Sequence, residues 1–241
     1  MYDLTKITLK DVTELGMRLR HLGSEAGSIE EIAHQTVDYI YECFVSEETG
    51  EKSCALVRFY KTFPYYALKP ELRDFADNIL GDGLKDPMMK CLTLLATVGQ
   101  QPEWNSPEDS AGHKAIPLPS EEVVRQLPMI AQLVNQFGLE ISTFLKPASE
   151  ILLEATQETF NVFYVSEALD SPFVPAQAEF VIPYGIRSAL GFGGMLPTGD
   201  LFAVIIFSKA PISRTAADWF KVLGLNTTVA VLSLAEEAVF N

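Results

Sequence analysis

A chain of 241 residues, 48% of them hydrophobic, carries enough apolar material for a substantial core, built as one large domain or two small ones. Its formal net charge of −14 argues against nucleic acid or an anionic membrane surface as partner, since both are bound through lysine and arginine. No apolar run approaches the roughly 20 residues of a membrane helix, the amino end lacks a secretory pattern, and Cys43, Cys54 and Cys91 have neither disulfide-framework nor metal-site spacing. A cytoplasmic protein with reduced, buried thiols is expected.

Residues 8–22 place Val12, Leu15, Leu19 and Leu22 on one narrow stripe, which predicts a first helix. After a break at 23–27, Ser28 and Glu31 have capping-box spacing ahead of a second helix whose inward set is Ile29, Ile32, Ala33, Thr36, Val37, Ile40, Tyr41 and Phe44. A polar turn at 47–52 leads into a strand at 54–60. Pro70 opens a short helix to Leu80, closed by Gly81, with Leu72, Phe75, Ala76 and Ile79 inward. A second strand is expected at 89–98. The Pro-, Ser- and Gly-rich stretch 100–119, with Trp104 and His113, reads as a long ordered loop without elements of its own.

Ser120 caps a helix expected over 121–137, kinked at Pro128 and ended by Gly138. Strands are expected at 139–145 and 161–165, then a second long loop at 166–183. The runs 186–196 and 201–207 flank Pro197-Thr198-Gly199-Asp200 as a hairpin, and the unbroken apolar character of the second run predicts cover on both faces. Ser213 or Thr215 then caps a long amphipathic helix with Ala216, Trp219, Phe220, Leu223, Thr227, Ala230, Val231, Leu234 and Ala238 on one face. With no repeat or linker, 1–241 reads as one domain. The apolar seams of the first and last helices have a period near 3.5 residues. They predict a dimeric helical bundle built from 1–27 and 213–241, the alternative being packing onto the domain's own sheet.

The order of elements resembles the GAF fold, with Leu92-Thr93-Leu94-Leu95-Ala96-Thr97-Val98-Gly99 similar to that family's second strand and 186–209 similar to its closing hairpin. Residues 1–22, 89–97, Gly112-His113-Lys114-Ala115-Ile116-Pro117-Leu118-Pro119 and Phe180-Val181-Ile182-Pro183-Tyr184-Gly185-Ile186 resemble divergent GAF-like modules at the amino end of bacterial multidomain sensor kinases. The resemblance implies an α+β fold: an antiparallel sheet of five to six strands, terminal helices on one face and long loops on the other. It implies a non-enzymatic sensory module that binds a small ligand and relays it through dimeric terminal helices to a histidine kinase, response regulator or other output. The chain ends at Asn241 without kinase residues, so a separate sensory protein or an excised input domain is expected. No cysteine is followed by histidine as in many bilin-binding members, and the signature of cyclic-nucleotide-binding members is absent, so the ligand or cofactor stays unassigned.

Five residues stand out as ligand contacts. Trp104, Tyr184 and Arg187 offer aromatic walls and a charged anchor for an anionic metabolite, against the alternative that Trp104 staples its own loop. His113 offers a loop imidazole that titrates near neutrality, against a solvated histidine. Cys91 belongs to an alternative function, a thiol-dependent reductase on the same fold, in which Cys54 and Cys91 face each other on adjacent strands. A structural dimerisation domain with a filled pocket is the third reading. Gly191-Phe192-Gly193-Gly194 lacks the register and the following Lys-Ser or Lys-Thr of a phosphate loop, and close packing accounts for it better.

Overall fold

The computed structural model describes residues 1–83, 85–146 and 161–234. Six antiparallel strands form one sheet in the order β3-β2-β1-β6-β5-β4. They are β1 (Cys54–Pro64), β2 (Lys90–Gly99), β3 (Ala115–Leu118), β4 (Val162–Val165), β5 (Ser188–Met195) and β6 (Leu201–Ser208). The fold is α+β, as expected. The closing hairpin turns through Gly199 at φ +80°, and every residue of β5 and β6 is buried, because both faces of these central strands are covered.

On one face, helix α1 (Leu9–Glu25) and helix α2 (Ile29–Cys43) present the stripes read from the sequence. Thr8 and Asp11 cap α1 reciprocally, whereas Ser28 caps α2 alone, because the Glu31 carboxylate accepts from the amide of Gly27 at 2.8 Å. Helix α3 (Pro70–Leu80) lies nearer the rim than expected: Ala76 is buried, but Ile79 is 53% exposed. The long final helix is broken at Phe220 into α7 (Arg214–Trp219), capped by Ser213, and α8 (Lys221–Leu232). Ala238 lies outside the described residues.

Helix α8 is not amphipathic, because it is an inner layer with β5 on one side and α1 on the other. Gly224 meets the backbone of β5, where a Cβ would stand 3.0 Å from the Gly193 carbonyl oxygen. A Cβ on Gly193 itself would stand 2.1 Å from the Phe202 carbonyl oxygen, so the glycine-rich segment is a packing device. The α1 stripe expected to seek another chain is filled by α8 of the same chain. Phe44, Phe192 and Phe220 lock this layer, with ring centroids 6.0 Å and 6.4 Å from Phe220.

The opposite face corrects three expectations. The stretch 100–119 contains two single 3-10 turns and the edge strand β3, whose Pro117 suits a strand with only one neighbour. The helix expected over 121–137 is two helices, α4 (Glu121–Arg125) and α5 (Pro128–Gln136). Leu127, forced from helical geometry by the following proline, has φ −110° and ψ 84°, and Pro128 starts a helix instead of kinking one. The strand expected at 139–145 is helix α6 (Ile141–Leu145). It packs against α4 and α5, while the outer edge of β4 is covered by the Gln136 side chain, which accepts from the Tyr164 amide at 2.6 Å and donates to its carbonyl at 3.3 Å. The run coils instead and buries Phe144.

Candidate functional site

Between the sheet and the α5–α6 cover lies an apolar cavity of about 190 Å³. Its floor comes from Arg58 and Tyr60 on β1, Leu92 on β2 and Ala203 and Ile205 on β6, and its roof from Met129, Ile130 and Leu133 of α5 and Phe144 of α6. Pro172 and Pro175 close it from the second long loop. That loop is organised from within: the Gln177 amide donates to the carbonyls of Ala168 and Val174 at 3.0 and 2.8 Å and accepts from the Asp170 amide at 2.9 Å. A π-helical turn, Gln177–Val181, follows Ala176 in the left-handed region at φ +58°.

The polar members of the lining are few. Arg58 is half-buried and donates to the Tyr60 hydroxyl at 3.2 Å and the Ser110 hydroxyl at 3.4 Å. Its Nε is buried without a hydrogen-bond partner, and among the described residues no carboxylate pairs with it. Leaving such a donor unsatisfied costs about 1–3 kcal/mol. The sequence reading missed Arg58, although a lone guanidinium in the apolar run Ala55-Leu56-Val57-Arg58-Phe59-Tyr60 is itself a signal, because arginine is rarely buried unpaired.

His113 stands at the cavity mouth, exposed to solvent on one side and lining the cavity on the other. Its φ of +73° is unusual for a residue other than glycine. Crowding by the cavity wall, and next the Arg58 charge, hold its pKa below the ordinary 6.5. The native state therefore binds fewer protons than the unfolded chain in the window below pH 6.5, and stability falls as pH drops through it. Titrating the imidazole by NMR should give a pKa below 6.5 that rises in Arg58→Met; an Arg58→Met value equal to wild type would separate the two groups.

The other predicted contacts are distributed differently. Trp104 and Tyr184 meet at 4.5 Å between ring centroids and join Phe180, which in turn packs edge-on against Phe207 at 5.0 Å. This cluster staples the two long loops to the sheet, the alternative weighed for Trp104; Trp104, Phe180 and Tyr184 do not line the cavity and reach it only through Phe207, which does. Arg187 is exposed and away from it. Cys91 is fully buried on the face of the sheet covered by α1, α2 and α8, where desolvation pushes its thiol up to about 12. The facing pair expected of Cys54 and Cys91 does not exist: Cys91 lies opposite Phe63, at the far end of β1 from Cys54, roughly 30 Å along the strand. Burial likewise pushes Cys43 up to about 12 and raises Cys54. Among the described residues no cluster of His, Cys, Asp and Glu could hold a metal ion. None of their helices is long and apolar enough to cross a membrane.

No protein-family model matches the chain. No curated protein matches it. Among solved structures it is similar to the GAF domain of an Acinetobacter phosphoenolpyruvate-protein phosphotransferase, at 11% identity and a TM-score of 0.47 over 95% of this chain and 96% of that one. It is similar too to the phycocyanobilin-bound GAF domain of a cyanobacterial phytochrome, at 11% identity and a TM-score of 0.43 over 96% and 98% of the two chains. A third is the chromophore-binding domain of an R. palustris bacteriophytochrome, at 10% identity and a TM-score of 0.40 over 94% of this chain and 62% of that one. Likenesses this distant carry no functional inference.

Proposed function

We propose that this chain is a non-enzymatic, GAF-like sensory module whose ligand is a small apolar acid held in the Arg58 cavity, and that occupancy is relayed through the terminal helices. The observation that supports this most is the combination of a largely apolar lining with one guanidinium that lacks a carboxylate partner among the described residues. A cavity of about 190 Å³ suits a molecule little larger than benzene, and a guanidinium grips a carboxylate in a two-pronged, charge-assisted geometry. His113 at the mouth makes the site sensitive to pH.

The relay follows from the layers. The sheet that floors the cavity carries α8 on its other face through β5, and α1 rests on α8. Their outward surface bears Leu9, Met17 and Leu225, which are 50%, 59% and 47% exposed, and we assign it to a homodimer contact that an output partner reads. A ligand shifts this assembly only by the difference in its affinity for two packings.

Native mass spectrometry of the chain purified from its own host tests the reading, because one spectrum reports both bound mass and dimer. An extra mass of an organic acid is expected on a dimer. With benzoate as a probe, calorimetry should show saturable binding that Arg58→Met weakens at least tenfold. A chain with no bound mass that also ignores benzoate would instead be a structural domain.

A further inference from the structure

At one end of the sheet lies a wider cleft of about 1200 Å³, separate from the Arg58 cavity. Lys61 of β1, Lys90 of β2 and Asp200 of the β5–β6 turn line it, and Ser142, Thr143 and Lys146 stand along its wall. The two strand lysines are only 4% and 9% exposed. Lys61 Nζ donates to Asp200 Oδ2 at 2.9 Å and to the Thr62 carbonyl at 3.1 Å. Lys90 Nζ donates to the Gly199 carbonyl and sits 5.5 Å from the centroid of the Phe144 ring.

One carboxylate therefore serves two buried ammonium groups. The second has a carbonyl and an aromatic ring but no carboxylate of its own among the described residues, in a chain where 32 acidic residues outnumber 18 basic ones. Buried ammonium groups are normally paired. The unmatched one opens on a cleft of metabolite size, with hydroxyl donors nearby and a third lysine at the rim.

We propose that this cleft binds the anionic group of a small metabolite, a carboxylate or a phosphate, with Lys90 as its ion-pair partner and the Lys61–Asp200 pair fixing the floor. The site is independent of the Arg58 cavity: it uses different charged groups and shares no lining residue with it, although Phe144 of the cavity wall has its ring centroid 5.5 Å from Lys90 Nζ. Without an anion, burial is the largest influence on Lys90 and holds its pKa at about 8; Asp200 pulls it up, and Lys61 pushes it down. The other charged groups along the cleft are Asp86, Glu121 and Lys146. A bound anion favours the ammonium, so binding takes up roughly half a proton at pH 8, and affinity falls as pH rises beyond that.

Calorimetry of the whole chain with inorganic phosphate and with acetate, in two buffers of different ionisation enthalpy at pH 8, tests the assignment. Saturation at one anion per chain with proton uptake is expected, at least tenfold weaker in Lys90→Met, and the anion that binds identifies the headgroup. A second measurement needs no variant: the pH midpoint for acetylation of Lys90, read by mass spectrometry, should move upward when the binding anion is present. If neither anion binds, if Lys90→Met binds as wild type does, or if the midpoint stays still, the proposal is overturned.

Discussion

Gly23→Ala is expected to destabilise the protein, and Gly23→Leu to do so by about 3 kcal/mol or more. The sign is informative, because intrinsic preference points the other way. Position 23 lies inside α1, where replacing glycine by alanine ordinarily favours a helix by about 1 kcal/mol. Here a Cβ would stand 2.4 Å from the Ala230 Cβ and 2.5 Å from its Cα. The obstacle is backbone, so relief requires prying α1 away from α8, and overlap of that kind costs about 1–3 kcal/mol even for small additions. Urea denaturation of both variants measures the effect. Ala230→Gly should recover part of the loss in the Gly23→Ala background, as expected of two positions sharing one contact. A Gly23→Ala protein as stable as wild type would show that the helices can separate without cost, and the proposed relay would lose its stiff element.

The parts of this fold that could be read in the sequence are those where a local signal and the final environment agree. Helices α1 and α2 carried their own stripes, and α2 its Ser28 cap, while the β5–β6 hairpin carried both its turn residues and its apolar runs. The misread segments are those whose outcome depended on a distant neighbour. Residues 139–145 have a strand's composition, but they coil into a helix that packs on α4 and α5 and buries Phe144. The seams of α1 and of the final helix suggested a partner chain, yet each is the other's partner, a fact visible only once Gly16 and Gly23 are seen to face Asn226 and Ala230. Of the residues that line the two chambers, His113 drew attention by its loop position, whereas Arg58, Lys61 and Lys90 were passed over inside strands. Trp104 and Tyr184 drew attention as aromatics in loops, and their contacts turned out to be with each other.

Phe144→Ala carries the second large expectation, because this ring is both a core residue and the wall between two sites. It is fully buried, it lines the Arg58 cavity, and its ring centroid lies 5.5 Å from Nζ of Lys90, which lines the cleft. Truncating a buried phenylalanine costs about 3–5 kcal/mol, and here the void left behind would join the cavity to the cleft. Phe144→Leu should cost less than half as much, since most of the volume stays. A purely structural ring would show only that graded loss. A partition ring should also change the neighbouring amine: with water admitted beside it, Lys90 rises from about 8 towards 10.5. In the wild-type protein the depressed pKa means that the native state holds fewer protons than the unfolded chain between pH 8 and 10.5. Stability therefore rises with pH across that window, the charge penalty being present in full below it. Phe144→Ala should flatten this rise while lowering stability throughout, and Phe144→Leu should preserve it. Denaturation midpoints collected between pH 7 and 10.5 for the three proteins separate the two roles. Parallel curves would confine Phe144 to packing. A flattened curve for the alanine variant alone would mean that the helix carrying this ring feels both chambers, so that an anion at Lys90 and an acid at Arg58 act on the same side chain.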